Sequence, residues 1–371
     1  MPKLSTRSIQ DSIAEFGRTL GFHVETETGL LGRTPDEYCP VPDVAWYLDT
    51  RGLFSARALR PVLKGGPEWI DHLEMLPIAG FEIEGSTTTS KNQLGNLSNL
   101  YAAPFLFKFA VVNNSAATTE KDTYRRGVKI CNYFRDAFGY QNVFLLDWCH
   151  LSPTLDGLTA PQTLQVTARP YPNATLSRRG SGGETASVGP FNDLLPCFVE
   201  SGLYLQQDYA PEPIRWQGIR DEFVYGLLES RDEQVDVAFR KRGTYDPVER
   251  TSRALSRPAD GYYIPKLDLM AGLPAPRTFV DWLRAISLQL GPEVVNHPLL
   301  LSLKLGKVSE ILLPLVAVEV ETSISKHLNG GIVNLARNSF CGVLAAGPEA
   351  ERHLNFFRRR LACNNVVHHV I

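Results

Sequence analysis

The sequence predicts an α/β protein in which one chain builds two mixed β-sheet cores covered by helices. At 371 residues the chain exceeds the length that one hydrophobic core usually organises, which indicates two structural units. In addition, a block of residues in the first half recurs in the second half. Helix-like and strand-like segments alternate around both copies, as is typical of sheets with helices packed on their faces.

The repeated block is the most specific feature of the sequence. Residues 77–86 read PIAGFEIEGS and residues 314–323 read PLVAVEVETS, so both follow the pattern Pro-x4-Glu-(Ile/Val)-Glu-x-Ser. Downstream, residues 91–105 and 326–340 share Lys, Gly, Asn, Leu and Phe at identical spacing. Nine spaced identities favour a duplication over a chance match, and we therefore expect both halves to share one fold.

The flanking segments extend the correspondence. Apolar spacing in the first half predicts two helices and three strands besides the repeated block, at 8–20 and 124–138 and at 22–26, 105–112 and 142–146. The second half offers similar segments in the same order, at 219–228, 235–239, 340–346, 349–361 and 365–371. We expect two units, residues 1–150 and 211–371, each with a mixed sheet.

The segment between the units has a different composition. Residues 151–210 are rich in Pro, Gly, Ser and Thr, which indicates a connector. One strand is expected in it, at 163–168. Residues 177–183 read SRRGSGG and are typical of an exposed loop.

Composition restricts the class of protein. Lys and Arg (38) nearly balance Asp and Glu (40), so a nucleic-acid partner would be held by local basic patches rather than by a general positive field. The six cysteines include no Cys-x-x-Cys pair, which argues against a zinc ribbon or a disulfide scaffold. We find no signal-peptide core and no apolar run of membrane-spanning length. The expectation is a cytoplasmic protein without a membrane partner.

The first repeat carries a candidate metal site. Side chains two apart in a strand point to the same face, so Glu82 and Glu84 project together. Asp43 begins another apolar strand, and if the two strands are neighbours, Asp43 and Glu82 can share one cation with the Ile83 carbonyl. Such hard oxygen ligands suit Mg²⁺, with Mn²⁺ as a substitute, and support phosphodiester hydrolysis. Glu84, or Lys91 from the following helix, would orient or deprotonate the attacking water.

The second repeat offers the corresponding residues Glu319, Glu321 and Lys326. Its aspartate, Asp268, follows the preceding proline two positions later than Asp43 does, which leaves the competence of a second site open. Simpler interpretations exist for each group. The glutamate pairs can be solvated strand faces, the lysines surface charges and the aspartates turn residues.

Residues 43–46 (DVAW), followed by 81–86 (FEIEGS) and a helix, resemble the PD-(D/E)xK nuclease superfamily in its restriction endonuclease-like branch. The resemblance covers roughly 8–147 and, more weakly, 214–371. It implies two restriction endonuclease-like cores forming a pseudo-dimer in one chain. It also implies magnesium-dependent cleavage of double-stranded DNA, as by a type II restriction endonuclease.

The sequence departs from the family pattern at the family's lysine position. Glu84 stands there in the first repeat and Glu321 in the second. Either these acids fill the role of the lysine, or Lys91 and Lys326 supply it from the following helices.

Basic clusters are the candidates for phosphate contact, since Lys and Arg neutralise phosphates without reading sequence. The candidate residues are Arg125, Arg126, Arg178, Arg179, Arg240, Lys241, Arg242, Arg358 and Arg359. Each cluster can equally be an ordinary solvated surface.

A fused duplication would provide one hydrolytic site for each strand of a duplex, which most such enzymes obtain by homodimerisation. Two alternatives stay open. The chain can be a non-catalytic DNA-binding or assembly protein that retains the fold, or a nuclease of the same fold in repair or transposition. The sequence leaves the choice of monomer or dimer open.

Overall fold

The computed structural model describes the chain over 5–29, 40–63, 73–85, 88–103, 105–113, 122–138, 143–155, 177–179, 185–187, 194, 196–198, 200–201, 204–209, 267–289, 303, 311–321, 326–361 and 365–370. Over these residues the protein is α/β, with two five-stranded mixed sheets and one small hairpin. Among the described helices, none combines the length and apolar character needed to cross a membrane.

The two large sheets have the same topology. The first contains β1 (His23–Thr26), β2 (Val44–Asp49), β3 (Met75–Glu84), β4 (Phe107–Val112) and β5 (Val143–Asp147), adjacent in chain order. The second contains β8 (Tyr204–Tyr209), β9 (Leu267–Pro274), β10 (Leu312–Glu321), β11 (Cys341–Ala346) and β12 (Val366–Val370), also adjacent in chain order. In each sheet the first two pairings are antiparallel and the last two are parallel. This identity of topology supports the duplication inferred from the repeat.

Helices cover both sheets. They are α1 (Thr6–Thr19), α2 (Ala56–Leu59), α3 (Ser90–Ala102), α4 (Thr123–Phe138), α5 (Trp148–Leu155), α6 (Arg277–Gln289), α7 (Lys326–Asn338) and α8 (Ala350–Leu361). The helix pair α3 and α4 packs on one face of the first sheet, and α7 and α8 pack on the corresponding face of the second. We call these the outer faces.

Local sequence explains where the helices that border the site begin and end. The Ser5 hydroxyl accepts from the Ser8 N–H and caps α1, and the Thr89 hydroxyl accepts from the Asn92 N–H and caps α3. After α1 the chain turns at Gly21, whose φ of 88° suits a residue without a Cβ. Helix α1 is thereby held across the inner face of the first sheet.

The inner faces of the two sheets share one apolar core. Helix α6 of the second half inserts Trp282 between the two halves, with ring centroids 5.0 Å from Trp46 and 5.5 Å from Phe16. The Trp282 indole N–H donates to the Thr154 hydroxyl at 3.3 Å. Phe279 of the same helix lies 5.2 Å from Phe107. Packing this close makes the stability of either half depend on the other.

Three features differ from the sequence predictions. The edge strand of the second sheet is β8, which lies within the expected connector, while the segments at 163–168, 219–228 and 235–239 fall outside the described residues. The segment expected as a loop at 177–183 begins with a strand, β6 (Ser177–Arg179), which pairs with β7 (Thr185–Ser187). Helix α6 was not predicted.

Candidate active site

The two glutamates of the first repeat lie side by side near the end of β3, on the outer face. Phe81 and Ile83 alternate with them and enter the shared core, as the strand periodicity predicts. Glu82 is only 5% exposed and Glu84 only 1%. The side chain of Asn96, on α3, donates to Glu84 Oε1 at 2.9 Å. The glutamates are therefore not a solvated strand face, because α3 covers them.

Asp43 lies directly before β2 and reaches across to β3. Its Oδ2 accepts from the backbone N–H of Ile83, the residue between the two glutamates, at 2.6 Å. The negative charge of Asp43 also raises the pKa of both Glu82 and Glu84. The adjacency of Asp43 and the glutamates expected from the sequence is therefore present in the structure.

Burial and the closeness of other negative charges raise the pKa of all three carboxyl groups. Burial, then the charges of Asp43 and Glu84, raise the pKa of Glu82 to about 9. Burial also raises the pKa of Asp43, against the lowering effect of the Ile83 N–H. For Glu84, burial raises the pKa, while the neighbouring groups of Thr88 and Asn96 lower it in part. A cation placed among them would favour the charged forms and relieve this repulsion.

The strand geometry supplies a fourth oxygen. The Glu84 carbonyl accepts from the Asn113 N–H at 2.8 Å, on the β4 side of β3. Backbone groups of successive residues in a strand alternate in direction, so those of Ile83 point to the β2 side. The Ile83 carbonyl therefore lies on the same side of the strand as the Asp43 carboxylate.

The sequence also explains why β2 does not pair with that carbonyl. The last pair of the antiparallel ladder is Val44 with Phe81, and continuing the register by two residues would place Pro42 opposite Ile83. Proline has no N–H to donate. The ladder thus ends at the point where the carboxylates gather, and its end leaves room for another ligand of the Ile83 carbonyl.

The residues fit a hard divalent cation. Asp43, Glu82 and the Ile83 carbonyl offer oxygen donors of the kind that Mg²⁺ and Mn²⁺ prefer. Glu84 Oε2 is buried and has no hydrogen-bond partner in the described part of the chain. Over the same residues, no group of three or more His, Cys, Asp or Glu side chains is arranged to hold a metal by itself. The carbonyl and water would therefore complete the donor set.

The second sheet repeats this arrangement. Val44 pairs with Phe81 in the first sheet and Leu269 pairs with Val318 in the second, and each pair lies just inside the corresponding aspartate and glutamate. Asp268 therefore occupies the position of Asp43. Leu267, one of the two additional residues after the proline, begins β9, and the aspartate keeps its place relative to the glutamate.

The same backbone link is present as well. Asp268 Oδ2 accepts from the N–H of Val320, the residue between Glu319 and Glu321, at 2.9 Å. Glu319 is buried, at 8% exposure, whereas Glu321 is half-buried. Gly331 stands where the first half has Asn96, and a Cβ there would lie 3.6 Å from Glu321 Oε1. The second site thus has the acids, and a glycine stands at the position of the amide that holds Glu84.

The structure does not bring Lys91 to the acids. Its side chain is exposed on α3, and its charge is not among those that shift the pKa of Glu82 or Glu84. Lys326 is the first residue of α7, and its side chain lies outside what the structure describes. In the first half, therefore, Glu84 lies with Asp43 and Glu82, and Lys91 does not.

Two of the arginines expected to contact DNA are instead held inside the protein. Arg126 donates to Gln93 Oε1 at 2.7 Å and to the Thr88 carbonyl. Arg358 donates to the Val366 carbonyl at 2.7 Å and pairs with Glu351. Both are partly buried because they tie helices to neighbouring segments, which a sequence pattern of charges does not reveal.

The other basic candidates have varied surroundings. Arg125 is exposed and pairs with Asp122 at 3.5 Å. Arg359 lies on α8, and Arg178 and Arg179 lie on β6, but their side chains fall outside the description. The cluster of Arg240, Lys241 and Arg242 lies wholly outside the described residues.

Sequence reasoning missed the residue that anchors Asp43 from α1. Gln10 is buried and donates to the Asp43 carbonyl at 2.8 Å and to Glu27 Oε1 at 3.2 Å. The sequence alone could have identified Gln10, because it is a polar residue that directly follows Ile9 on the apolar side of an amphipathic helix. A polar residue at such a position usually has a buried partner.

Comparisons with known proteins identify no relative: no family model, no curated protein and no solved structure matches the chain.

Proposed function

We propose that the protein is a magnesium-dependent endonuclease that hydrolyses phosphodiester bonds of double-stranded DNA. In this proposal the chain has the restriction endonuclease-like fold twice and acts as a single-chain pseudo-dimer. The observation that carries it is the repeated link between an aspartate and the backbone N–H inside a Glu-x-Glu strand, made by Asp43 in one sheet and Asp268 in the other. A purely structural hydrogen bond would not require a pair of glutamates, buried or half-buried, beside each aspartate.

The first site divides the work among its acids. Asp43, Glu82 and the Ile83 carbonyl would hold the metal, which when bound supplies Lewis-acid stabilisation of the phosphate and lowers the pKa of water. Glu84 would accept the proton of the attacking water. Asn96 fixes Glu84 through Oε1 and leaves Oε2 for that role. The raised pKa of Glu84 makes it a stronger base than an exposed carboxylate.

Two sites in one chain suit a duplex substrate. The strands of DNA are antiparallel, so two like sites can each attack one strand only if they are related by a rotation, which a dimer or a fused duplication provides. Two sheets with the same topology, packed through one shared core, offer such a pair. The fused form also allows the halves to differ.

The test uses supercoiled plasmid and a titration of Mg²⁺, with Mn²⁺ as the substitute metal. The wild-type chain is expected to linearise the plasmid only when the metal is present. Glu82→Gln and Glu319→Gln should each stop at the nicked circle, and the double variant should leave the plasmid intact. Metal-independent cleavage, or full linearisation by both single variants, would overturn the proposal.

One observation favours a second candidate, a DNA-binding or assembly protein that retains the fold without catalysis. Glu82 and Glu84 are almost fully buried, and Lys91 is exposed away from them. A gel-shift titration of the same plasmid fragments separates the candidates. Binding that persists in EDTA, with no cleavage in Mg²⁺ or Mn²⁺, would establish the binder.

A further inference from the structure

Arg126 is a half-buried arginine that forms hydrogen bonds within the protein. It projects from α4 toward the short segment that connects β3 to α3, immediately after Glu84. Its Nε donates to Gln93 Oε1 at 2.7 Å, and its Nη2 donates to the Thr88 carbonyl. Gln93 is fully buried and in turn donates to the Thr123 carbonyl, at the start of α4, at 3.0 Å. A closed set of hydrogen bonds thus ties α4 to the beginning of α3.

This set of bonds borders the first acidic site. Thr88 and Asn96 both act on the Glu84 carboxyl, and Arg126 is the cation whose charge acts on it. The planar guanidinium suits this place, because it donates to a side-chain oxygen and a backbone oxygen in fixed directions. Any movement of the start of α3 would move the groups that hold Glu84.

We propose that Arg126 is a positioning residue of the first site, which fixes Thr88 and the start of α3 and thereby holds Glu84 beside Asp43 and Glu82. The inference rests on the proposed nuclease function and adds a residue to it. It also replaces the expectation that Arg126 contacts DNA.

The residue of the second half that corresponds to Arg126 in the helix spacing is not a cation. Helices α4 and α8 both end five residues before the next strand begins, and this spacing aligns Arg126 with Glu349. Glu349 is an acid and is exposed. Gly331 also stands in place of Asn96, so the residues at both of these positions differ between the halves. This difference makes the second half an internal control for Arg126.

The experiment measures Mg²⁺-dependent plasmid nicking in two backgrounds. In Glu319→Gln the nick reports the first site, and in Glu82→Gln it reports the second site. Arg126→Ala should lower kcat about 100-fold in the first background, since a displacement of about 1 Å at a reacting group costs that much. In the second background the same change should have less than about a twofold effect. Equal losses in both backgrounds would show a general structural defect and overturn the proposal.

The split between kcat and KM separates positioning from DNA contact. A positioning residue acts on the reacting groups, so Arg126→Ala should leave KM within about twofold, whereas loss of a phosphate contact would raise KM. Arg126→Lys keeps the charge but reaches only one of the two acceptors, and should recover part of the loss. Lys129→Ala is the matched control, because Lys129 is exposed one turn along α4 and carries the same charge. A rise in KM alone would overturn the positioning role.

Hydrogen exchange tests the same claim without cleavage. Amides at residues 90–93 should exchange at least about tenfold faster in Arg126→Ala than in wild type or Lys129→Ala, because the tie between the helices is broken. Unchanged exchange would overturn the positioning role even in an active enzyme. A wild-type chain that fails to cleave with either metal would overturn the nuclease proposal, and the exchange result would still decide the role of Arg126.

Discussion

The two acidic sites agree in their backbone and differ in the helices that cover them. In both sheets an aspartate just outside the ladder bonds to the N–H between two glutamates. The residues at corresponding positions differ, since Asn96 and Arg126 have Gly331, on α7, and Glu349, directly before α8, as counterparts. Strand register is therefore sufficient to gather the acids. In the first half, Asn96 of the outer helix α3 also holds the last glutamate.

The solvent exposure of the last glutamate also differs between the two sites. Glu84 is 1% exposed under the Asn96 amide, whereas Glu321 is half-buried beside a glycine. A carboxylate with a fixed partner loses less freedom when it acts, but it is also harder for solvent to reach. Under the proposed nuclease function, we expect the two halves to cut at unequal rates. Variants placed at equivalent positions test how far the equivalence extends.

The largest expected effect comes from the aspartates. Asn at position 43 or 268 can still accept from the backbone N–H through its amide oxygen, so the link between the strands is kept while the negative charge is lost. Asp43→Asn and Asp268→Asn should each lower one of the two cuts by about 10³-fold, as removal of a charged metal ligand does. Strand-resolved cleavage of plasmid by each variant measures this.

The control for both is Asp11→Asn, an equal change at an exposed position on α1. If Asp43→Asn abolishes one cut and Asp268→Asn leaves both intact, the two aspartates occupy equivalent positions in the strand register but do not have the same function. The second half would then be structural or would serve recognition.

The second prediction concerns the core that the halves share. Trp282→Ala removes a ring that lies 5.0 Å from Trp46 and 5.6 Å from Phe109 of the other half. Loss of a buried aromatic side chain should lower the free energy of unfolding by about 3–5 kcal/mol. Because both halves pack on this residue, we expect one cooperative urea transition that shifts as a whole. Leu288→Ala, at an exposed position of the same helix, should leave the midpoint unchanged.

Separate transitions for the two halves, with only one of them shifted by Trp282→Ala, would contradict a common core. The halves would then be independent domains joined by a contact. The comparison of the two sites would become a comparison of two autonomous proteins.

The repeat made the central part of each sheet predictable from sequence. The shared spacing correctly predicted strands β3 and β10 and helices α3 and α7. Pro, Glu, Gly and Asn recur at the same intervals in both halves because both halves have the same local structure there. The adjacency of Asp43 to Glu82 was also predictable, since it needs only two apolar strands as neighbours. These features depend on local pattern and on strand periodicity.

Features that depend on long-range pairing were not predictable. Strand β8 pairs with β9, which begins almost sixty residues later in the chain. The residues of β8 (YLQQDY) contain no local pattern that would predict β9 as its partner. Helix α6 has an amphipathic sequence, but the described residues between the equivalent strands of the first half contain only the four-residue α2. The repeat therefore gave no reason to expect it. The partners of Arg126 and Lys91 depend on how each helix is rotated against the sheet, which sequence spacing does not specify.

The smallest expected effect is a pH dependence of stability that only the metal-free protein should show. Burial and the charges of Asp43 and Glu84 raise the pKa of Glu82 to about 9, whereas the group has a pKa near 4.5 when exposed. Between these values the folded state keeps a proton that the unfolded state has lost. Stability should therefore fall as pH rises from 6 to 8.5, by at most about 1.4 kcal/mol per pH unit.

Urea unfolding in EDTA across that range measures the slope, and Glu82→Gln should flatten it because the amide does not titrate. Glu15→Gln, at an exposed position of α1, should leave the slope as in wild type. Adding Mg²⁺ at pH 8.5 should restore stability to the wild-type chain, since the ion binds the carboxylate form of Glu82 and displaces the proton that the folded state otherwise keeps. A slope that persists in Glu82→Gln would show that another group carries the buried proton. In that case Glu82 would not be the acid that most needs a cation, and the metal would be expected to favour the second half.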